Sequence, residues 1–415
     1  MIQPARAREH SNMAAIKGLT FVMFAMFAMT TDSVGIIIPE IIKAFRLSLT
    51  AAGSFQYATM SGIALSGFFL GHLADRLGRK STIVAGLTLF ALTSYLFIAG
   101  TSFSYFCVLM AFSGIAIGIF KTGALALVGD IAKSTVEHTS LMNTIEGFFG
   151  VGSIAGPAIL AQLLGRGISW RWLYVIAGSM CVLLIATALG VRYPSRTANS
   201  EEHADSKVLA AVMKNRFVMG FSLGAFLYVA VESAIYVWMP TLLAGYRGPA
   251  SWVAAYSISI FFLLRAAGRF LGAWMLNRFR WTAVLAISSG LILTCFVIGI
   301  VAGTDWAVYS LPISGLFMSV IYPTINSKGI SCLRKSEHGA GAGVILFFTC
   351  LSAVLAPLAM GAVSDAMGGP RYGFLLATGF AAVLFAGLLW NWIFNPAGKI
   401  FEGADRTDYD PAPAA

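Results

Sequence analysis

Apolar runs of about 20 residues recur along almost the whole chain, separated by short polar breaks. A run of that length, coiled at ~1.5 Å per residue, crosses the ~30 Å hydrocarbon layer of a bilayer. In lipid the backbone has no water to bond, so a spanning segment must be a helix or a strand of a closed barrel. Barrel strands need only ~9–11 residues, so the runs here are expected to be helices. Twelve are expected, at 17–44, 51–73, 81–100, 103–130, 138–165, 169–191, 214–245, 251–276, 281–302, 305–330, 338–367 and 371–394. Composition agrees: 58% of residues are hydrophobic and 11% charged. A soluble domain carries about 25% charged residues, and a disordered chain lacks this much Phe, Ile and Leu. Both classes are excluded.

The first run, from Leu19 to Ile38, is too long for the apolar core of a cleaved signal peptide and is expected to be a retained span. One long polar stretch, RYPSRTANSEEHADSK, interrupts the interior of the chain. It divides the sequence into an N-tail (1–16), a six-helix bundle (17–191), a linker (192–213), a second six-helix bundle (214–394) and a C-tail (395–415). The expected fold is therefore all-α, with twelve transmembrane helices in two bundles.

The net charge of +10 does not gather on one surface, which argues against a nucleic-acid partner. The basic residues sit at span ends instead. With the N-terminus in the cytoplasm, nineteen fall on that side and six on the other. This bias is expected to place both termini in the cytoplasm, and the expected location is a plasma (inner) membrane. The five cysteines and five histidines show no ligand spacing and no disulfide framework, so no metal or cofactor is expected. No G-x-x-x-x-G-K-[ST] phosphate loop occurs, which argues against ATP-driven work.

The halves repeat at an offset of about 200 residues. GFFLG at 67–71 returns as GRFLG at 268–272, Gly156-Pro157 as Ala356-Pro357, and Asp32 as Glu232. Parallel repeats about an axis along the membrane normal are one known transporter plan, with the substrate site near the midplane.

The stretch GHLADRLGRK at 71–80 resembles the loop 2–3 signature of the major facilitator superfamily, and GAWMLNRFR at 272–280 resembles its weaker second-half copy. The resemblance covers the whole chain and implies two pseudo-symmetric six-helix bundles. NTIEGFFGVGSIAGP at 143–157, FLYVAVESAIYVWMP at 226–240 and YPTINSKGI at 322–330 are similar to the fucose–proton symporter and glucose/mannose transporter group. That group often carries a Glu before the Thr of span four. Here the pair is Lys121-Thr122, a reversal of sign that counts against symport of a neutral sugar. The resemblance also implies a cytoplasmic gate latch built from Gly71, Asp75, Arg76 and Arg79. Arg76 or Arg79 would reach Asp130 at the end of span four. The same charges could equally serve only to keep the loop in the cytosol.

Ionisable groups inside a membrane are costly and usually face a cavity or a partner. Five stand in the spans at depths suited to a site: Asp32, Lys121, Glu146, Glu232 and Arg265. Lys121 and Glu146 lie at similar depths, ~12–13 Å from the cytoplasmic end, and are expected to pair. The pair would be either a coupling element or a permanent structural bridge. Asp32 is a candidate protonation site or a hydrated rim carboxylate. Glu232 with Ser233 falls on the resembling span-seven segment, as an acceptor for sugar hydroxyls or as a packing group. Arg265 would bind an anion, balance Glu232, or extend toward the cytoplasm. Asn143, Tyr228, Trp238, Tyr322 and Asn326 supply the amides and aromatic faces that sugars need. Gly150, Gly152 and Gly156 offer small-residue spacing for close helix approach.

The expected function is secondary active transport of a sugar or sugar derivative with a proton, by a monomer in the bilayer. A sugar acid or small organic anion held by Lys121 and Arg265 is the alternative. A drug or metabolite efflux antiporter is a further one. A receptor on this fold would need larger loops or tails, and a membrane enzyme would need a catalytic set that the sequence lacks.

Overall fold

The computed structural model describes residues 3–70, 77–131, 135–193, 206–333 and 338–398, and every regular element among them is helical. Ten of the described helical segments are long and apolar enough to cross a membrane. The second and third expected spans are the remaining two. Ser54–Phe69 is described over 16 residues. Arg79–Leu96 opens on Arg79, Lys80, Ser81 and Thr82, which lower its average hydropathy.

The described residues form two compact units. The first holds α1 (Gln3–Thr31), α2 (Val34–Phe45), α3 (Ser54–Phe69), α4 (Arg79–Leu96), α5 (Phe103–Ile131), α6 (Thr135–Gly165) and α7 (Arg171–Gly190). It also takes in Met239–Ala244 and Ser251–Phe262. The second holds α8 (Ser206–Lys214), α9 (Arg216–Ser233), most of α10 (Ser257–Arg278), α11 (Trp281–Val301), α12 (Thr304–Met318), α13 (Ile321–Ile330), α14 (His338–Met367) and α15 (Pro370–Phe394).

In the first unit, aromatic rings fill the core. Phe97 stacks on Tyr174 with centroids 4.0 Å apart, and Phe106 meets Trp170 edge-on at 5.2 Å. Helix α6 lies directly on α1. A Cβ added at Gly152 or Gly156 would collide with the carbonyls of Ala25 and Met29, whereas Gly150 faces open space. The close-approach stripe is thus Gly152 and Gly156, and Gly150 is not part of it. This is the geometry by which small residues let membrane helices pack without a hydrophobic driving force between them.

Among the described residues, three of the interrupted spans break for a local reason. Between α1 and α2, the hydroxyls of Thr30, Thr31 and Ser33 donate to the carbonyls of Phe27 and Met29 one turn back, at 2.9, 3.2 and 2.7 Å. Such back-bonding competes with the helical ladder and bends it, and the chain turns at Asp32-Ser33. After α9 the helix widens into a π-helix, Ala234–Trp238, before Met239–Leu243. Pro240 donates no N–H and its ring would press on the carbonyl of Tyr236, so the wider turn relieves the clash. Between α12 and α13 the helix breaks just ahead of Pro323, which then occupies a first-turn position where a missing N–H costs nothing.

Serines on α6 and α14 tie these helices to α1–α2 and α9 by different bonds. Ser153 on α6 donates to Asp32 in the first unit. Ser352 on α14 donates to the carbonyl of Phe226 on α9 at 2.6 Å in the second. All five cysteines are free. Cys332 lies just beyond the end of the tenth span, and burial pushes its thiol up to about 11.

Candidate substrate and coupling site

The second unit brings together two ionisable groups that the sequence separates by 33 positions. Arg265 Nη1 and Glu232 Oε1 are 2.5 Å apart. Glu232 lies 16 residues beyond the start of α9, and Arg265 lies 13 before the end of α10. At ~1.5 Å per residue these are ~24 and ~20 Å from the same side of the membrane, so antiparallel neighbours carry the two groups to one level. The Glu232 side chain is 9% exposed and that of Arg265 21%. Tyr228, one turn before Glu232 and buried, donates its hydroxyl to Glu232 Oε1 at 3.2 Å. Its ring lies nearly parallel to that of Tyr322 on α13, with centroids 6.0 Å apart and planes at 25°. Asn326 is one turn beyond Tyr322 on the same helix, half-buried.

This arrangement couples charge to hydrogen bonding. A guanidinium fork and a carboxylate both bind hydroxyls well, and each holds the other while no ligand competes. A proton on Glu232 weakens its hold on Arg265. The two tyrosine rings supply apolar faces beside the polar pair. The π-helix begins two residues after Glu232, at a position where such irregularities are often functional. The sequence signal for it was Pro240.

Two residues expected at the substrate are packing groups instead. Ser233 is fully buried, and its hydroxyl donates to the carbonyl of Ala230 in its own helix at 2.9 Å. Trp238 is buried, and its indole N–H donates to the carbonyl of Pro357 at 3.2 Å, tying α14 to the π-helix. Both polar groups are already satisfied within the unit.

In the first unit the expected Lys121–Glu146 pair does not form. Lys121 Nζ stands 5.5 Å from the centroid of the Phe149 ring. Glu146, one turn away from Phe149 on α6, is exposed. The ring face offers the ammonium a cation–π contact in place of a carboxylate. Among the described residues no ion pair includes Lys121. Asp32 is half-buried at the break in the first span, where it accepts from Ser153. The side chain of Asn143 lies outside the described residues.

Of the loop 2–3 signature, Gly71, Asp75 and Arg76 lie outside the described residues. Arg79 reaches Asp130 with Nε to Oδ2 at 2.8 Å and its second nitrogen to Oδ1 at 3.5 Å, a two-pronged contact between α4 and α5. The role of Lys80 was not anticipated. Its ammonium donates to the carbonyls of Leu189 and Val191, both at 2.9 Å. A cation there satisfies the free carbonyls and the negative dipole at the end of α7.

Among the described residues no cluster of His, Cys, Asp and Glu could hold a metal ion. Helices long and apolar enough to cross a membrane repeatedly, in two compact units, with an ion pair held inside one span pair, define a multi-pass membrane carrier. The family model of the Major Facilitator Superfamily matches residues 20–357, and the chain belongs to that superfamily. It is a transporter and not an enzyme. Protein TsgA of Escherichia coli O157:H7 is 25% identical over 386 residues, 91% of this chain and 94% of TsgA. Two solved structures share the fold. A variant of the E. coli fucose:proton symporter FucP is 22% identical, with 90% of this chain and 98% of that one covered and a TM-score of 0.60. The nucleoside transporter NupG is 15% identical, with 91% and 98% covered and a TM-score of 0.71.

Proposed function

We propose that the protein is a proton-coupled secondary transporter that moves a sugar or sugar derivative by alternating access. On this reading it works as a monomer in the inner membrane, with both termini cytoplasmic. The Glu232–Arg265 pair, with Tyr228 on the carboxylate and Tyr322 beside it, carries the reading. A hydroxylated solute would take the hydrogen bonds that the two charges now give each other, and the tyrosine faces would cover its apolar side. Protonation of Glu232 would free Arg265, which links proton uptake to binding. The FucP relative is named as a fucose:proton symporter and the NupG relative as a nucleoside transporter; both substrates carry a sugar ring. Asp32, held by Ser153, is the second candidate for the proton. The Arg79–Asp130 contact is the proposed cytoplasmic latch.

One observation favours a second substrate class. Lys121 stands on an aromatic ring instead of a carboxylate, so a sugar acid or small organic anion would meet an available cation in the first unit.

The test is a thermal-shift panel of neutral sugars, nucleosides, sugar acids and small carboxylates on the wild type, Lys121→Ala and Glu232→Gln, followed by uptake into proteoliposomes with and without a pH gradient. Stabilisation of the wild type and Lys121→Ala by a neutral sugar, lost in Glu232→Gln, supports the sugar reading. Stabilisation by anions alone, lost in Lys121→Ala, replaces it with the anion reading. Stabilisation by neither, with solute driven out of vesicles by an inward proton gradient, overturns both in favour of an efflux antiporter.

A further inference from the structure

Away from the charged pair, the second unit contains a groove of about 590 Å³ along the seam between α9 and α15, within the roughly 300–1,000 Å³ of small-ligand sites. Its origin is local. Gly220 and Gly224 on α9 and Gly387 on α15 leave the seam without side chains; a Cβ added at Gly220 or Gly387 meets open space. The floor is Leu384 and Leu388, both buried. The mouth is flanked by Leu223 and Val383, which are more than half exposed, so the groove opens on the apolar surface of the helices.

Polarity is graded along the groove. Arg216 and Asn391 stand at one end, and the lining residues of α9 from Gly220 to Leu227 are all apolar. From Arg216 to Leu227 is ~16 Å of helix, about half of the ~30 Å hydrocarbon layer, which is the depth of one leaflet. Trp390, 54% exposed, lies beside Asn391 at the level where indoles mark the membrane interface. Arg216 is exposed with its guanidinium over the Phe217 ring, and Lys214 is exposed two residues earlier. The first N–H groups of α9 are already taken by the Asn215 side chain, so the positive charge offered here is that of Arg216 and Lys214.

We propose that this seam is a binding site for an anionic glycerophospholipid of the leaflet on the linker side. One acyl chain lies on the glycine-lined floor and the phosphate meets Arg216. The charge at the polar end and the one-leaflet depth fit a lipid, and a freely soluble anion would leave the apolar floor unused.

Native mass spectrometry of the purified full-length protein with phosphatidylglycerol or phosphatidylcholine tests this. The wild type is expected to hold one phosphatidylglycerol about fivefold more tightly than phosphatidylcholine, the scale of one basic residue at a membrane surface. Arg216→Ala removes that preference while keeping weak binding of both lipids. Gly387→Leu and Gly220→Leu, which fill the seam, lose the tightly held lipid. Equal binding of the two lipids by the wild type, or full phosphatidylglycerol binding by both leucine variants, overturns the proposal. Displacement of the lipid by inorganic phosphate also overturns it, by showing an ion site alone. Should the leucine variants fail to fold, a phosphatidylglycerol with a photoreactive acyl chain decides on the wild type. Adducts within 220–227 and 383–388 support the site, and adducts confined to other helices refute it.

Discussion

Glu232 and Arg265 meet at 2.5 Å, joining the span that carries the π-helix to its antiparallel neighbour. Removing one partner of a buried pair leaves the other charge uncompensated, typically at a cost of roughly 3–5 kcal/mol, while removing both costs far less. Glu232→Gln and Arg265→Leu are each expected to lower the unfolding temperature in detergent, and the double variant to recover most of the loss. Additive losses in the double variant would show that the two groups are not coupled.

Helix α6 touches α1 through Gly152 and Gly156 and not through Gly150. Gly156→Leu forces the helices apart and is expected to cost at least ~1–3 kcal/mol, as overpacking does. Gly150→Ala meets nothing and is expected to stabilise by ~0.5–1 kcal/mol, the helix-propensity gain over glycine. Unfolding temperature and the monodisperse fraction on size exclusion measure both. Equal damage from the two would reject this packing.

The Arg79–Asp130 contact is partly exposed, at 16% and 28% of the side chains. Exposed ion pairs contribute only about 0–1 kcal/mol, so Arg79→Lys should barely change stability. It loses the fork that grips both carboxylate oxygens. If the contact latches a conformation, uptake should fall by about tenfold, equivalent to ~1.4 kcal/mol on a barrier. Unchanged uptake at unchanged stability would leave the contact a loop anchor.

Pro240 imposes the π-helix after Glu232. Pro240→Ala restores an N–H and removes a residue that costs about 3 kcal/mol in a helix interior. The variant is expected to be at least as stable as the wild type and to transport poorly, because a regular α-turn there rotates Met239–Leu243 relative to Glu232. Full transport in a stabilised variant would strip the π-helix of a role.

Much of this was legible without coordinates. Hydropathy alone marked the spans, since lipid admits only segments that satisfy their own backbone. The motif at 71–80 led to the Arg79–Asp130 contact, because the two residues are brought together at the ends of consecutive spans.

The candidate site was legible only in part. Residue counting gives height in the membrane, ~1.5 Å per residue; it placed Lys121 level with Glu146, which do not pair, and put Glu232 further out than Arg265, which do. Height is a sum along one helix. Direction turns by about 100° per residue and has meaning only against the neighbour that a helix packs on. Tertiary structure therefore decided that Lys121 stands over Phe149, that Arg265 takes Glu232, and that Ser233 and Trp238 spend their hydrogen bonds inside the unit. The sequence by itself determined the spans and their helical character, through hydrophobicity and the demand that each segment satisfy its own backbone. Only packing determined which side chains face one another, because azimuth is set by contacts between helices far apart in the chain.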